Sequence, residues 1–199
     1  MFVLTVDQKR SRRGADRVAA LVTDLNARTD LVRPFERTAG DEVQGVVASA
    51  EAVTDLVLRM VATRWWSVGI GIGAVVRPLP AMTRAGSGPA FSHARTAVTA
   101  AKSRPTHLCV VADDAEAARS AQTALDLVAA LLQRRTERGI EAAALATQGL
   151  SQVDIAVKLG ITKQAVSQRL LAADWHLEVP GRRLAARLLS EVPGNVDPS

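Results

Sequence analysis

Between Gln152 and Leu171 the chain reads QVDIAVKLGITKQAVSQRLL, and its polar residues have the types and spacing of a surface that reads DNA. Lys163, Gln164, Ser167, Gln168 and Arg169 accompany a helical pattern whose apolar side carries Val166 and Leu170. Gln pairs bidentately with adenine and Arg with guanine, while Lys meets phosphate as a point charge. A shorter pattern precedes it, with Ile155, Ala156 and Leu159 inward. Ala156 is small where two crossing helices must approach. Gly160 falls at the turn, where a positive φ is cheap only without a Cβ. Ser151 and Thr162 are good N-caps for the two helices. This is the spacing of a helix-turn-helix. Thr162, Lys163, Gln164, Ser167, Gln168 and Arg169 form the candidate DNA-contacting set. The alternative for the same pattern is an αα-hairpin that only packs on its neighbours.

A second set of groups has different chemistry. Asp7 ends an apolar stretch, and Asp41 with Glu42 sits at the tip of a turn that a ferredoxin-like sheet would bring beside it. Carboxylates at adjacent strand ends suit Mg²⁺ or Mn²⁺, which leave room for water and phosphate oxygens. Lys9, Arg10, Arg12 and Arg13, with Arg95 and Lys102 further on, have the charge to face a nucleotide's phosphates. The alternative is a turn whose Asp serves only the backbone, among solvated arginines. His93 has no second His or Cys at metal-ligand spacing, which argues against a metal role. There is no Gly-rich phosphate loop, no nucleophile elbow and no His-based acid/base pair.

The elements that must position these groups follow from periodicity. Phe2–Val6, residues 32–38 and 42–48, Trp65–Gly73 and His107–Ala112 read as strands. Ala15–Ala27, Ala50–Thr63, Pro89–Ser103 and Asp113–Arg135 read as helices. Trp65–Gly73, WWSVGIGIG, alternates apolar and small residues, as a central strand does when something packs closely on it. Residues 76–88 are rich in Pro and Gly and read as a loop. The order β-α-β-β-α-β-α-β predicts an α+β fold, an antiparallel ferredoxin-like sheet with helices on one face. Residues 1–135, with 113–135 as a linker helix, form this first domain. Residues 139–191 form a helical domain holding the helix-turn-helix. Its last helix is predicted at Arg182–Glu191, opened by Pro180 and Gly181, with Trp175 packing it onto the pair. Residues 192–199 read as a flexible tail.

The 199 residues are 48% hydrophobic, enough for one good core and a small second one. No apolar run approaches the roughly 20 residues that span a bilayer, and no secretory leader is visible. Cys109, the single cysteine, lies in LCVV and reads as buried and inert. A cytoplasmic protein is expected. The net charge of +5 favours polyanionic partners. Residues 1–105 hold 15 Lys/Arg against 9 Asp/Glu, whereas residues 139–199 hold 6 against 6. The helix-turn-helix is therefore not basic as a whole, and the N-terminal part or a second chain must help hold phosphate. Leu125, Val128, Leu131 and Leu132 form a stripe that suits either an intrachain core or the seam of a homodimer. Of the consecutive Trp65 and Trp66, one must point inward and one outward.

Several motifs resemble those of the SatD family of bacterial proteins. AGDEVQGV is similar to that family's Gly-Asp-Glu-Phe-Gln-Gly run, with Val43 in place of the aromatic. WSVGIGIGAV resembles its Gly-Ile-Gly-Ile-Gly strand, and GPAFSHARTAVTAAK its Gly-Pro-Ala-Tyr-x-x-Ala-Arg helix. Asp7, Ser11 and Arg12 resemble its strand-end Asp and Ser-Arg pair, and Ala173-Asp174-Trp175 the end of its C-terminal helix-turn-helix. The same motifs resemble the nucleotide-cyclase and GGDEF fold. That resemblance implies metal binding at Asp7 and Asp41 and phosphate contacts from Arg95 and Lys102. Two functions are expected from these readings. One is a homodimeric regulator binding double-stranded DNA, with a cyclase-like domain for ligand sensing or dimerisation. The other is a Mg²⁺- or Mn²⁺-dependent nucleotide-binding protein or enzyme whose helix-turn-helix docks a partner.

Overall fold

A computed structural model describes residues 1–9, 15–38 and 40–194. Arg12 and Ser11 lie outside the described residues. Five strands form one mixed sheet in the order β2-β3-β1-β4-β5. These are β1 (Phe2–Gln8), β2 (Leu31–Arg37), β3 (Glu42–Val47), β4 (Trp66–Ile72) and β5 (Leu108–Val111). The helices between them are α1 (Val18–Asn26), α2 (Ala50–Ala62), α3 (Pro89–Ala101) and α4 (Ala115–Arg134). The strand and helix spans expected over residues 1–135 are therefore met to within a few residues.

The alternation of FVLTVDQ sets the two faces of the central strand. Phe2, Leu4 and Val6 enter the main core with Val68, Ile70 and Ile72 of β4, under α1, α2 and α4. Val3 faces the other way, where it meets Ala90, Phe91 and Ala94 of α3. Gly69 and Gly71 are what admit α3: a Cβ at either would collide with the helix backbone at Val98 or at Ala90 and Ala94. The alanines of α3 complete this close approach.

Two expectations of the sheet are corrected. It is mixed rather than antiparallel, because β5 lies parallel to β4. The chain leaves β4, crosses through α3 and returns to the same end, which a hairpin cannot do. Helices cover both faces rather than one, since α3 takes the face opposite α2 and α4.

The C-terminal third contains α5 (Glu137–Thr147), α6 (Gln152–Leu159), α7 (Lys163–Ala172) and α8 (Trp175–Ser190). α8 begins seven residues earlier than expected and carries Pro180 inside it. An internal proline removes one helix hydrogen bond and costs about 3 kcal/mol. The Glu178–Arg182 pair, at 2.9 Å, spans the proline, and Gly181 lets α8 lie against Val128 of α4. Trp175 packs on the core of α5, α6 and α7, as expected. Ala185, Leu189 and Val192 instead join the main core with Leu125, Val128, Leu131 and Leu132. That stripe on α4 is intrachain core, so it does not form a dimer seam. Val192, expected in a flexible tail, is buried. Among the described residues, no helix is long and apolar enough to cross a membrane.

Candidate functional site

The α6–α7 pair is built by local signals that agree with one another. Ser151 accepts a hydrogen bond from the Asp154 N–H, and the Asp154 carboxylate reaches back to the Ser151 N–H, a reciprocal capping box. Gly160 ends α6 in the left-handed region, φ 63° and ψ 35°. The Ile161 N–H then donates to Ala156 O at 3.0 Å and the Gly160 N–H to Val157 O at 3.3 Å, a Schellman closure. Thr162 starts α7 by accepting from the Ala165 N–H at 3.1 Å. Ile155, Ala156, Val166 and Leu170 close on Ala142 and Leu145 of α5, with Ile161 and Leu159 against them. This small core fixes which face of α7 looks outward.

Thr162, Lys163, Gln164, Ser167 and Gln168 are exposed on that face. The side chains of the last four make no hydrogen bond or ion pair among the described residues. Arg169 is turned instead toward α5. Its side chain is 23% exposed and its Nη1 lies 3.5 Å from Glu141 Oε2. It follows Val166 by three residues on the helix, so it borders the buried stripe rather than the outer face. Apolar side chains are exposed on both helices as well: Val157 of α6 is 79% exposed and Leu171 of α7 68%.

Two arginines at the end of α4 tie this unit to the sheet layer: Arg134 Nη2 lies 3.8 Å from Asp174 Oδ2, and Arg135 makes the closer contacts. Arg135 follows α4, and its Nε donates to Ala173 O at the end of α7 at 2.8 Å. Its Nη1 donates to Glu178 Oε2 of α8 at 2.6 Å, with both side chains almost buried. Burial pushes the Glu178 carboxyl up, but hydrogen bonds and charge from Arg135, and then from Arg182, outweigh it and hold the group below its ordinary value. Sequence reading missed Arg135. Its only local signal is its place between two helical patterns.

The carboxylates at the strand end are arranged differently. Asp7 shares the α3 side of the sheet, and its Oδ2 accepts from Lys102 Nζ at 2.6 Å. The two residues assigned separately, to a metal and to a phosphate, thus meet each other. The residue opposite Asp7 on β3 is Glu42, not Asp41. Glu42 shares a face with Gln44, which donates to Thr5, and its carboxylate accepts from the Thr38 hydroxyl at 2.8 Å. Asp41 contributes its carbonyl to the Gln8 N–H. Arg95 is exposed on α3 and its side chain has no partner among the described residues.

On the other side of Asp7, Ser67 Oγ lies 3.4 Å from His107 Nδ1. Burial, helped by the nearby Lys9 charge, lowers the His107 pKa below its ordinary value. Among the described residues no group of three His, Cys, Asp or Glu could hold a metal ion. His93 is used locally: Nδ1 lies 2.8 Å from Ile72 O, and Nε2 3.4 Å from Asp113. Trp66 is buried in the main core and Trp65 is 42% exposed, with the Arg17 guanidinium 4.0 Å from its ring centroid. Cys109 is buried, and burial raises its thiol pKa.

Comparison with protein-family models, with curated proteins and with solved structures finds no match to this chain.

Proposed function

We propose that the protein binds double-stranded DNA in a sequence-dependent way, with α7 as the helix that enters the major groove. The observation that carries this reading is the set of exposed, unpartnered side chains Lys163, Gln164, Ser167 and Gln168 on a helix whose start, turn and inner face are all fixed. Rigid presentation of unspent donors and acceptors is what base-edge readout requires. On this reading α6 and α7 are a helix-turn-helix, and Arg169 is a positioning residue rather than a base contact.

The finer fold assignment belongs to the same proposal. The order β2-β3-β1-β4 with antiparallel neighbours is that of a ferredoxin-like unit, and the added α3–β5 crossover supports a cyclase-like extension. The motifs shared with the SatD family fit that arrangement, and we propose kinship with it. Asp7, paired with Lys102, then serves the structure of the sheet end rather than nucleotide chemistry. Two chains pairing on a two-fold operator would supply the phosphate affinity that one charge-balanced helical unit lacks.

The test is selection of bound fragments from a random DNA pool, followed by anisotropy titrations. A palindromic motif is expected, which would also establish pairing of two chains. Gln164→Ala should relax preference at one base position, costing about 1–3 kcal/mol of discrimination. Lys163→Ala should weaken all sequences about equally and reduce the salt slope by about 1. Recovery of no enriched motif, with both variants binding as the parent does, would remove the proposal.

A further inference from the structure

The outward side of α4 carries a row of its own, distinct from the buried stripe. Glu116, Ser120, Thr123, Leu127, Ala130 and Arg134 recur at alternating spacings of four and three residues, and all six are exposed. That spacing keeps residues in line along a helix that packs on another helix. The row is small or apolar in its middle and charged only at its ends, an acid at the start and a base at the finish. Glu116 has no side-chain partner among the described residues. Arg134, its side chain 74% exposed, has the 3.8 Å contact with Asp174.

α8 widens this row into a face. Gly181 lies against Val128 across the α4–α8 joint. Leu177 and Leu184, four residues before Gly181 and three after it, share its side of α8. Leu127 stands next to Val128 on α4. The three leucines therefore flank one joint, with Leu127 67%, Leu177 49% and Leu184 43% exposed. Large apolar side chains gathered on one surface mark a contact face. α4 has 20 residues and α8 16, so the pair measures about 25–30 Å by about 20 Å. Each chain thus offers about 500–600 Å², and two such faces together reach the roughly 1,000 Å² that a specific interface needs.

We propose that this face pairs with the same face of a second copy of the chain, α4 antiparallel to α4 about a two-fold axis midway between Thr123 and Leu127. A two-fold contact requires a self-complementary surface, and the order of charges along α4 provides one. Reversed on itself, the row sets Glu116 opposite Arg134, Ser120 opposite Ala130 and Thr123 opposite Leu127. Each charge meets its opposite, and small side chains in the middle let the helices approach. A parallel pairing would set Glu116 on Glu116 and Arg134 on Arg134. The use of this joint on a two-fold operator rests on the DNA-binding reading, whereas the pairing itself does not.

The test is sedimentation equilibrium of the full chain without DNA. A monomer–dimer equilibrium is expected, with Kd on the order of 10 μM. Leu127→Glu, at an exposed position outside the core, should raise Kd about tenfold or more with an unchanged circular-dichroism spectrum. Glu116→Arg and Arg134→Glu should each associate more weakly than the parent, because each puts like charges together at both ends of the row. An equimolar mixture of those two variants should regain parental association, since each supplies the charge that the other lacks. A variant weakened by misfolding would not be rescued in this way. A chain that stays monomeric at about 1 mM, parental association in Leu127→Glu, or a mixture no better than either variant alone would each overturn the assignment. An enriched DNA motif bound by a monomeric chain would remove the pairing and leave the DNA reading, and a dimer that enriches no motif would do the reverse.

Discussion

The two polar clusters of this protein spend their hydrogen bonds in opposite ways. At the end of β1, Asp7 is closed by Lys102, Glu42 by Thr38, and Gln44 by Thr5. On α7, Lys163, Gln164, Ser167 and Gln168 face solvent with nothing attached. The first cluster is richer in charge. Yet its groups satisfy one another, and a cation brought to Asp7 would have to displace an ammonium already there. The lesson is that residue type marks where chemistry is affordable, whereas unspent hydrogen-bonding capacity marks where a partner is expected.

Breaking the join between the two regions should have the largest effect. Arg135→Met leaves Glu178 buried without its closest counter-charge, and removing one partner of a buried pair costs about 3–5 kcal/mol. Urea denaturation should show that loss, with Glu178→Gln recovering part of it in the double variant. The same pair makes stability pH-dependent. The folded-state pKa of Glu178 is lowered, so its contribution is present above the unfolded carboxyl value of about 4.5 and is lost as pH falls through the folded value. Parent and Glu178→Gln should therefore converge in melting temperature at acid pH.

Next in size is Gly160→Ala, which forces a Cβ into the left-handed region at φ 63° and should cost about 1–2 kcal/mol. Space is not the problem there, since nothing lies within 4 Å of the added carbon. Lys102→Met should cost less than about 1 kcal/mol, because the lysine is half exposed and its pairing is screened. This variant also probes the comparison directly. With the ammonium gone, 10-fold molar excesses of Mg²⁺ or Mn²⁺ should leave the melting temperature unchanged. A metal-dependent rise would mean that Asp7 is an ion site after all. The smallest effect is expected from the double variant Gln164→Ala/Ser167→Ala, within about 0.5 kcal/mol of the parent. A larger loss would show that the outer face of α7 is structural, and the contrast between the clusters would fail.

Sequence by itself determined what depends on near neighbours. Strand alternation sorted Phe2, Leu4 and Val6 from Val3, the 3.6-residue period separated Val166 and Leu170 from the exposed face of α7, and Ser151, Gly160 and Thr162 marked the helix ends where the structure has them. Small residues in WWSVGIGIG announced a close approach, and the structure shows that it is made by α3. Tertiary structure alone decided the rest. It set β5 parallel, sent α3 to the far face and folded α8 back onto α4 across a proline that reads locally as a start signal. It joined Asp7 to Lys102 across 95 positions and Arg135 to Glu178 across 43. It also turned Arg169 from the outer face toward Glu141. Periodicity and capping act within one or two helical turns, so they are written in spacing. An ion pair between distant residues depends on how whole elements pack, and no spacing along the chain records that.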